Sequence, residues 1–255
     1  MFMGALMFKF SKCAAALALT LSSAIAVAAP LVVFQNDFNG ALPSEISPGS
    51  ATLTGVQGFA GYGPAGNQFG GNFLRSQTGN TITLSLSGLP AHDTISLEFL
   101  FAAIDSLDGT GSFPAGDFFK IVFDGATLFS ESFANATPQQ IQSYVSPAGV
   151  ELARRVDLGF SGPGGFYTDS AYNLGADSRF SNFAHTGSTA VIEFFIFGEG
   201  NQDLNDESWA MDNLKVSVTT LRPTNENPVP EPGSLALLAL SLAGLAFTRK
   251  KLSAR

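Results

Sequence analysis

The segment TITLSLS, residues Thr81–Ser87, alternates polar and apolar side chains without a break. Successive side chains of a β-strand point to opposite faces, so this pattern predicts a strand with one buried and one wet face. The next apolar segment, residues 94–104, is longer and more hydrophobic. It predicts a central strand with Leu97, Phe99 and Phe101 on one face.

Further strands are predicted on both sides of this pair. The apolar segments are short and are bounded by Gly, Pro, Asn or Asp, which is typical of strands joined by turns. Asp124-Gly125 lies between two of them and favours a hairpin, since both residues tolerate a positive φ. The other predicted strands are residues 31–38, 118–123, 127–133, 190–197 and 209–218. This pattern predicts an all-β domain, an antiparallel, jelly-roll-like β-sandwich.

The two ends of the chain differ from this middle segment. Near the N-terminus, Lys9 and Lys12 precede an apolar stretch, and Ala26-Val27-Ala28 offers the small residues that signal peptidase requires. The sandwich is thus expected between an N-terminal signal helix and a C-terminal hydrophobic helix. The expected divisions are a signal peptide over 1–28, a β-sandwich ectodomain over 29–220, a linker over 221–228 and a separate C-terminal segment over 229–255.

Composition limits the partners of the exported part. The single cysteine, Cys13, lies in the signal, so the mature domain is expected to have neither a disulfide nor a reactive thiol. Six of the 13 bases and one of the 21 acids lie in the end segments, which leaves 7 bases against 20 acids between them. This negative charge disfavours nucleic acid and is compatible with divalent cations.

The C-terminal segment has three parts in a fixed order. The motif Pro230-Glu231-Pro232 is followed by an uninterrupted apolar run, residues 235–247, and then by Arg249-Lys250-Lys251. Thirteen helical residues span roughly 20 Å, which is short of the ~30 Å hydrocarbon core of a bilayer. The positive-inside rule keeps the basic end in the cytoplasm and the preceding domain outside.

This order resembles the PEP-CTERM sorting signal of bacterial surface proteins. The resemblance implies export from a Gram-negative cell, transient anchoring in the inner membrane by a transmembrane helix, and cleavage by exosortase at Pro230, Glu231 and Pro232. The implied destination is the cell surface, the outer envelope or the exopolysaccharide matrix of a biofilm. A plain C-terminal membrane anchor is the alternative interpretation.

Acidic residues concentrate after the first predicted strand, after the central strand and around the start of the last strand. They are Asp37 with Asn39; Asp105, Asp108 and Asp117; and Asp206, Glu207 and Asp212. The first and third groups resemble motifs of jelly-roll carbohydrate-binding modules and laminin-G-like domains, in which the first and last strands lie side by side. The resemblance implies one structural calcium site formed by Asp37, Asn39, Asp206, Glu207 and Asp212.

Calcium is chemically reasonable for these groups because it binds six to eight hard oxygens at ~2.3–2.6 Å. Asp105, Asp108 and Asp117 form a second, weaker candidate site. The simpler alternative is that these Asp and Asn residues make turns by hydrogen bonding to their own backbone.

Aromatic residues and histidines give weaker signals. Tyr62, Tyr167 and Tyr172 are predicted in Gly-rich loops and are candidate saccharide contacts, whereas Trp209, the single tryptophan, is expected in the core. The two histidines, His92 and His185, accompany no Gly-x-Ser-x-Gly motif and have no zinc-ligand spacing. No catalytic residue is therefore predicted.

The sequence favours an exported structural or adhesive protein with calcium-stabilised glycan binding. The alternative is a carbohydrate-active hydrolase that acts on exopolysaccharide. Signal peptidase and exosortase are the expected processing partners, exopolysaccharide is the expected ligand, and the C-terminal helix is the expected membrane contact before cleavage.

Overall fold

A computed structural model describes residues 29–110, 116–161, 167–198 and 200–221, together with Leu237 and residues 240–242. The predicted signal peptide, most of the predicted linker and the Pro-Glu-Pro motif lie outside these ranges. Leu237 and residues 240–242 are helical. Within the described ranges, no helix has the length and hydrophobicity needed to cross a membrane.

The described residues form thirteen β-strands and three short 3-10 helices. The strands are β1 (Leu31–Asn36), β2 (Ile46–Ser47), β3 (Thr52–Gly55), β4 (Asn72–Gln77), β5 (Thr81–Ser87), β6 (Thr94–Asp105), β7 (Phe118–Phe123), β8 (Ala126–Ser132), β9 (Glu151–Val156), β10 (Asp169–Tyr172), β11 (Phe183–Ala184), β12 (Thr189–Phe197) and β13 (Glu207–Thr219). The 3-10 helices are η1 (Gln57–Phe59), η2 (Leu174–Ala176) and η3 (Ser178–Phe180).

These strands form two antiparallel sheets. Sheet A has the order β3-β4-β13-β6-β10-β9, with β1 paired to β13 and β11 paired to β6. Sheet B has the order β2-β5-β12-β7-β8. The predicted all-β sandwich is confirmed, with 46% of the described residues in strands and 7% in helices.

Strand β6 is central, as its composition predicts, because both of its faces are covered. Leu97, Phe99 and Phe101 enter the core between the sheets. Leu100 and Ala102 enter a second apolar cluster on the other face of sheet A. A strand buried on both faces needs an almost continuous apolar sequence, which explains why this segment lacks the alternation of β5.

The first and last strands lie side by side, as the resemblance implies, since β1 pairs with β13 along its length. Trp209 on β13 is fully buried, and its ring centroid lies 5.1 Å from that of Phe119 on β7. Trp209 therefore belongs to the core, where it joins sheet A to sheet B. Asp124 and Gly125 form the tight β7–β8 turn with φ values of 47° and 80°.

Candidate functional site: an acidic cluster between the sheets

Three chain segments meet at one end of the sandwich. Strand β6 of sheet A ends at Asp105, β13 of the same sheet begins at Glu207, and these two residues are opposite each other in the β6–β13 register. Strand β7 of sheet B begins one residue after Asp117. Glu207 lies two residues before Trp209, and Asp117 lies two residues before Phe119. Because Trp209 and Phe119 pack against each other, these two acids lie at one end of the aromatic core.

Asp108, Asp117 and Glu207 form a compact cluster at this end. Each offers a carboxylate oxygen within 4.8 Å of the other two. Their exposed fractions are 8%, 3% and 1%. The backbone fixes Asp108 against Asp117, because Asp108 N donates to Asp117 Oδ2 at 2.9 Å and Asp117 N donates to Asp108 O at 2.7 Å.

Two glutamines hold the outer side of the cluster. Gln140 Nε2 donates to Asp108 Oδ1, and Gln202 Nε2 donates to Glu207 Oε1 at 3.2 Å. The other oxygen, Glu207 Oε2, is buried and has no hydrogen-bond partner among the described residues. Burying this oxygen without a hydrogen bond costs the free energy of its lost hydration.

The electrostatics of the cluster disfavour full ionisation. Burial raises the pKa of Glu207, and the charges of Asp117, Asp108 and Asp206 raise it further. Burial is also the main cause that raises the pKa values of Asp117 and Asp108. Buried carboxylates this close hold a proton or bind a cation, because several like charges in one site repel each other.

The structure divides the predicted group Asp105, Asp108 and Asp117. Asp108 and Asp117 join Glu207, whereas Asp105 Oδ2 lies 3.4 Å from the buried Arg75 Nη2. Asp105 N also donates to Asp169 Oδ1 at 3.1 Å. Burial, together with the charge of Asp169, raises the pKa of Asp105 to about 7 although Arg75 opposes this shift.

The structure also divides the five-residue set implied by the resemblance. Asp37 lies near Asp212. Burial raises the pKa of Asp212 to about 7, and the charge of Asp37 contributes to this rise. Glu207 lies five residues earlier on the same strand as Asp212, which corresponds to roughly 17 Å at ~3.4 Å per residue. The set therefore does not converge on one ion, because an extended strand separates its members. Asp206 precedes Glu207 and lies at the far end with it.

At the Asp37 end of β1, the side chains of Asp37, Asn39 and Asp212 hydrogen bond to the backbone of turns and loops. Asn39 N donates to Asp37 Oδ1 at 3.2 Å, and Asn72 N donates to Asn39 Oδ1 at 2.8 Å. Asp212 Oδ2 accepts from Gly70 N at 3.1 Å. Asp37, Asn39 and Asp212 thus satisfy backbone N–H groups of neighbouring loops.

A polar groove of about 490 Å³ lies beside this end of β1. Its lining includes Gln35, Asp37, Asn67 and Asn213, and it also contains Lys215, whose ammonium pairs with a glutamate at 2.8 Å. Amide and carboxylate groups of this kind can donate to and accept from sugar hydroxyls.

The three tyrosines have different environments. Tyr62 is half-buried and packs against the second apolar cluster. Tyr167 is half-buried near the acidic cluster. Burial raises the pKa of Tyr167, and the charges of Asp206 and Asp108 raise it further. The expected loop position of Tyr172 is wrong: it lies in β10, fully buried, and offers no surface to a saccharide.

The two histidines form a hydrogen-bonded pair at another place in the fold. His92 Nε2 lies 2.7 Å from His185 Nδ1, His92 Nδ1 lies 2.6 Å from Pro90 O, and His185 Nε2 lies 3.1 Å from Thr189 O. Carbonyl oxygens accept, so these contacts tie each ring to the backbone. His185 Nε2 also lies 3.3 Å from Asp124 Oδ2. All four ring nitrogens are engaged.

Residues 228–251 match the family model of the PEP-CTERM protein-sorting motif. The chain carries a PEP-CTERM sorting signal. The motif marks an exported protein that is sorted by exosortase and transiently anchored in the membrane of a Gram-negative bacterium. The match covers the C-terminal end alone, so the PEP-CTERM signal identifies the route of the protein and not the activity of its β-sandwich. No curated protein matches the chain by sequence.

Two solved structures resemble the domain of this PEP-CTERM protein weakly. One is a Paenibacillus sp. cycloisomaltooligosaccharide glucanotransferase, with 14% identity and a TM-score of 0.33 over 71% of this chain. The other is a family GH115 4-O-methyl-α-glucuronidase with specificity for decorated arabinogalactans, with 11% identity and a TM-score of 0.31 over 74% of this chain. Each match covers 18% of the other protein, so neither activity is transferred to this chain.

Proposed function

We propose that the exported domain has a structural or adhesive role at the cell surface or in the extracellular matrix, with polysaccharide as its ligand. The observation that carries the proposal is the burial of the carboxylates in the acidic cluster. Asp108, Asp117 and Glu207 expose at most 8% of their surface. A glycosidase must place the scissile bond of its substrate between two carboxylates. These three side chains are too buried for a polysaccharide to reach them.

The histidine pair gives independent support for a non-catalytic role. A serine or cysteine nucleophile requires a base with a free ring nitrogen directed at it. His92 and His185 bond to each other and to backbone carbonyls, so each ring serves to join loops.

The polar groove beside β1 is the proposed place for saccharide. It is open, and its amides and carboxylates complement sugar hydroxyls. Asn67 and Asn213 are far apart in sequence but line the same groove, so both would contact one bound saccharide. Calcium belongs to this proposal as a structural ion and not as a catalytic one.

A carbohydrate-active hydrolase is the second candidate. The observation in its favour is the approach of carboxylate oxygens to within 4.8 Å, close to the ~5 Å separation in retaining glycosidases. The raised pKa of Glu207 would also suit a general acid.

One experiment separates the two functions. The processed protein is incubated with exopolysaccharide from its own host, and both bound protein and released reducing ends are measured. We expect binding that the variant Asn67→Ala weakens, with no release of product. Product formation that is abolished by Asp117→Asn would overturn the proposal and establish the hydrolase.

A further inference from the structure

We infer that Asp108, Asp117 and Glu207 bind one Ca²⁺ ion that fastens sheet A to sheet B. This inference goes beyond the surface role, because a sandwich of any function could use such an ion. It also differs from the end-to-end site that the sequence suggests, since its ligands come from the β6–β7 connection and from the first residue of β13.

The size of the cluster fits a calcium ion. Ligand oxygens bonded to one Ca²⁺ at ~2.3–2.6 Å lie at most about 5 Å apart across the ion. The three carboxylate oxygens lie within 4.8 Å of one another. All three donors are hard oxygens with no nitrogen or sulfur among them, which favours calcium or magnesium over zinc and copper.

A second observation points independently to a ligand. Glu207 is 1% exposed, and Gln202 occupies its Oε1. Its Oε2 has no hydrogen-bond partner among the described residues. Glu207 thus keeps a buried oxygen beside the carboxylate of Asp117, where a proton shared with Asp117 or a bound cation would compensate it.

No ion pair among the described residues neutralises the charge of the cluster. Among the ion pairs of the described residues, none involves Asp108, Asp117 or Glu207, although the neighbouring Asp105 has Arg75. Asp206 adds a fourth carboxylate nearby, and its side chain and its carbonyl both accept from the hydroxyl of Ser106. Buried charges are normally paired or bound to metal, so the missing positive charge favours an ion.

The surrounding backbone holds these ligands in place. A Cβ on Gly116 would lie 2.6 Å from the carbonyl oxygen of Gly109, and a Cβ on Gly198 would collide with Asp117 Oδ1. Both glycines therefore allow close approach of backbone around the carboxylates. The arrangement is preorganised, so the ion joins elements that already lie together.

The test compares the processed protein with three variants after removal of metal by a chelator. Glu207→Gln and Asp117→Asn remove ligand charge with little change of volume, and Glu45→Gln removes an exposed carboxylate as the matched control. Melting temperature is measured in chelator and in excess CaCl₂ or MgCl₂. An ion at 100 times its Kd contributes about 2.7 kcal/mol, which corresponds to roughly 5–10 °C in a domain of this size.

We expect calcium to raise the melting temperature of the wild type and of Glu45→Gln, and to leave both site variants unchanged. In chelator, the two site variants should melt at or above the wild type, because amides remove the repulsion between carboxylates. No calcium shift in the wild type would overturn the inference, as would a full shift in both site variants. A shift with magnesium but none with calcium would overturn the assignment to calcium.

Terbium luminescence gives a second measurement that does not depend on melting. Trp209 is the single tryptophan of the chain, and it lies two residues from Glu207 on the same strand. We expect Tb³⁺ emission excited through tryptophan in the wild type, displacement of that emission by Ca²⁺, and its loss in Glu207→Gln. Equal emission from the wild type and Glu207→Gln would contradict the site.

Discussion

At the scale of single residues, two opposed acids of the β6–β13 ladder have separate roles. Asp105 and Glu207 are register partners, but Asp105 has a φ of 62° and pairs with Arg75, whereas Glu207 enters the acidic cluster. A positive φ is uncommon for a residue other than glycine, and here it occurs where the strand ends beside the candidate metal centre. Arg75 is also held by Ser208 Oγ at 2.9 Å and by Leu204 O at 2.6 Å.

The first prediction concerns this buried ion pair. Arg75→Met leaves the carboxylate of Asp105 buried without its counter-charge, so we expect a loss of about 3 kcal/mol in the free energy of unfolding at pH 8. The loss is measured by urea denaturation. Adding Asp105→Asn to the same chain should recover most of it. Arg154→Met, at an exposed arginine, is the control, and an equal loss there would contradict the prediction.

The second prediction concerns pH. Burial raises the folded-state pKa of Asp212 to about 7 from the model-peptide value of 3.8, so between these values the folded protein binds more protons than the unfolded chain. Stability conferred by that proton is present at low pH and is lost as pH rises through about 7. We expect the Asp212 contribution to fall by about 2.7 kcal/mol from pH 5 to pH 8.

The measurement is urea unfolding in chelator across this pH range. Asp212→Asn should reduce the dependence by the Asp212 contribution, and Glu45→Gln should not change it. A wild-type protein that is more stable at pH 8 than at pH 5 in chelator would show that other groups dominate.

At the scale of elements, turn chemistry sets how β7 returns as β8. Gly125 has a φ of 80°, and a Cβ built there meets nothing within 4 Å. The constraint at this position is therefore backbone conformation and not space. Asp124 adds a second function, because its Oδ1 accepts from Val191 N at 2.8 Å and ties the hairpin to β12.

The third prediction follows from this turn. Gly125→Ala should lower the free energy of unfolding by about 1 kcal/mol, since an L-residue is strained in the left-handed region. Gly40→Ala is the matched control: its Cβ also meets nothing within 4 Å, but its φ lies outside the left-handed region, so we expect a change below about 0.5 kcal/mol. Chemical denaturation compares both. Equal effects would mean that strain does not set the cost at Gly125.

At the scale of the whole molecule, the β-sandwich is the exported part and the PEP-CTERM segment is its sorting signal. The family match begins at residue 228, and the last described strand, β13, ends at Thr219. The two parts are separate in sequence, so the sorting signal can be cut without removing any of the described strands.

The fourth prediction concerns processing. Mass spectrometry of the mature protein should give an N-terminus at Ala29 and a C-terminus between 229 and 233. Replacement of Pro230, Glu231 and Pro232 by alanine should leave the C-terminal segment in place, whereas Pro223→Ala should be processed normally. A mature protein that retains Arg255 would establish a permanent anchor instead.

The sequence by itself determined the fold class and the sorting route. Period-2 alternation in β5, the apolar length of β6 and the Asp-Gly turn are local properties, and each specifies strand or turn without knowledge of distant contacts. The Pro-Glu-Pro motif, apolar run and basic end are contiguous, so one stretch of chain contains the whole signal.

Only the tertiary structure decided which acids lie together. Asp108 and Glu207 are nearly one hundred positions apart, and their approach depends on the β6–β13 register and on how sheet B packs on sheet A. The sequence grouped Glu207 with Asp212 because they are close along the chain, but an extended strand carries such residues away from each other. Burial is also a tertiary property: it removed Tyr172 from the surface and left Glu207 with an acceptor that no described residue satisfies.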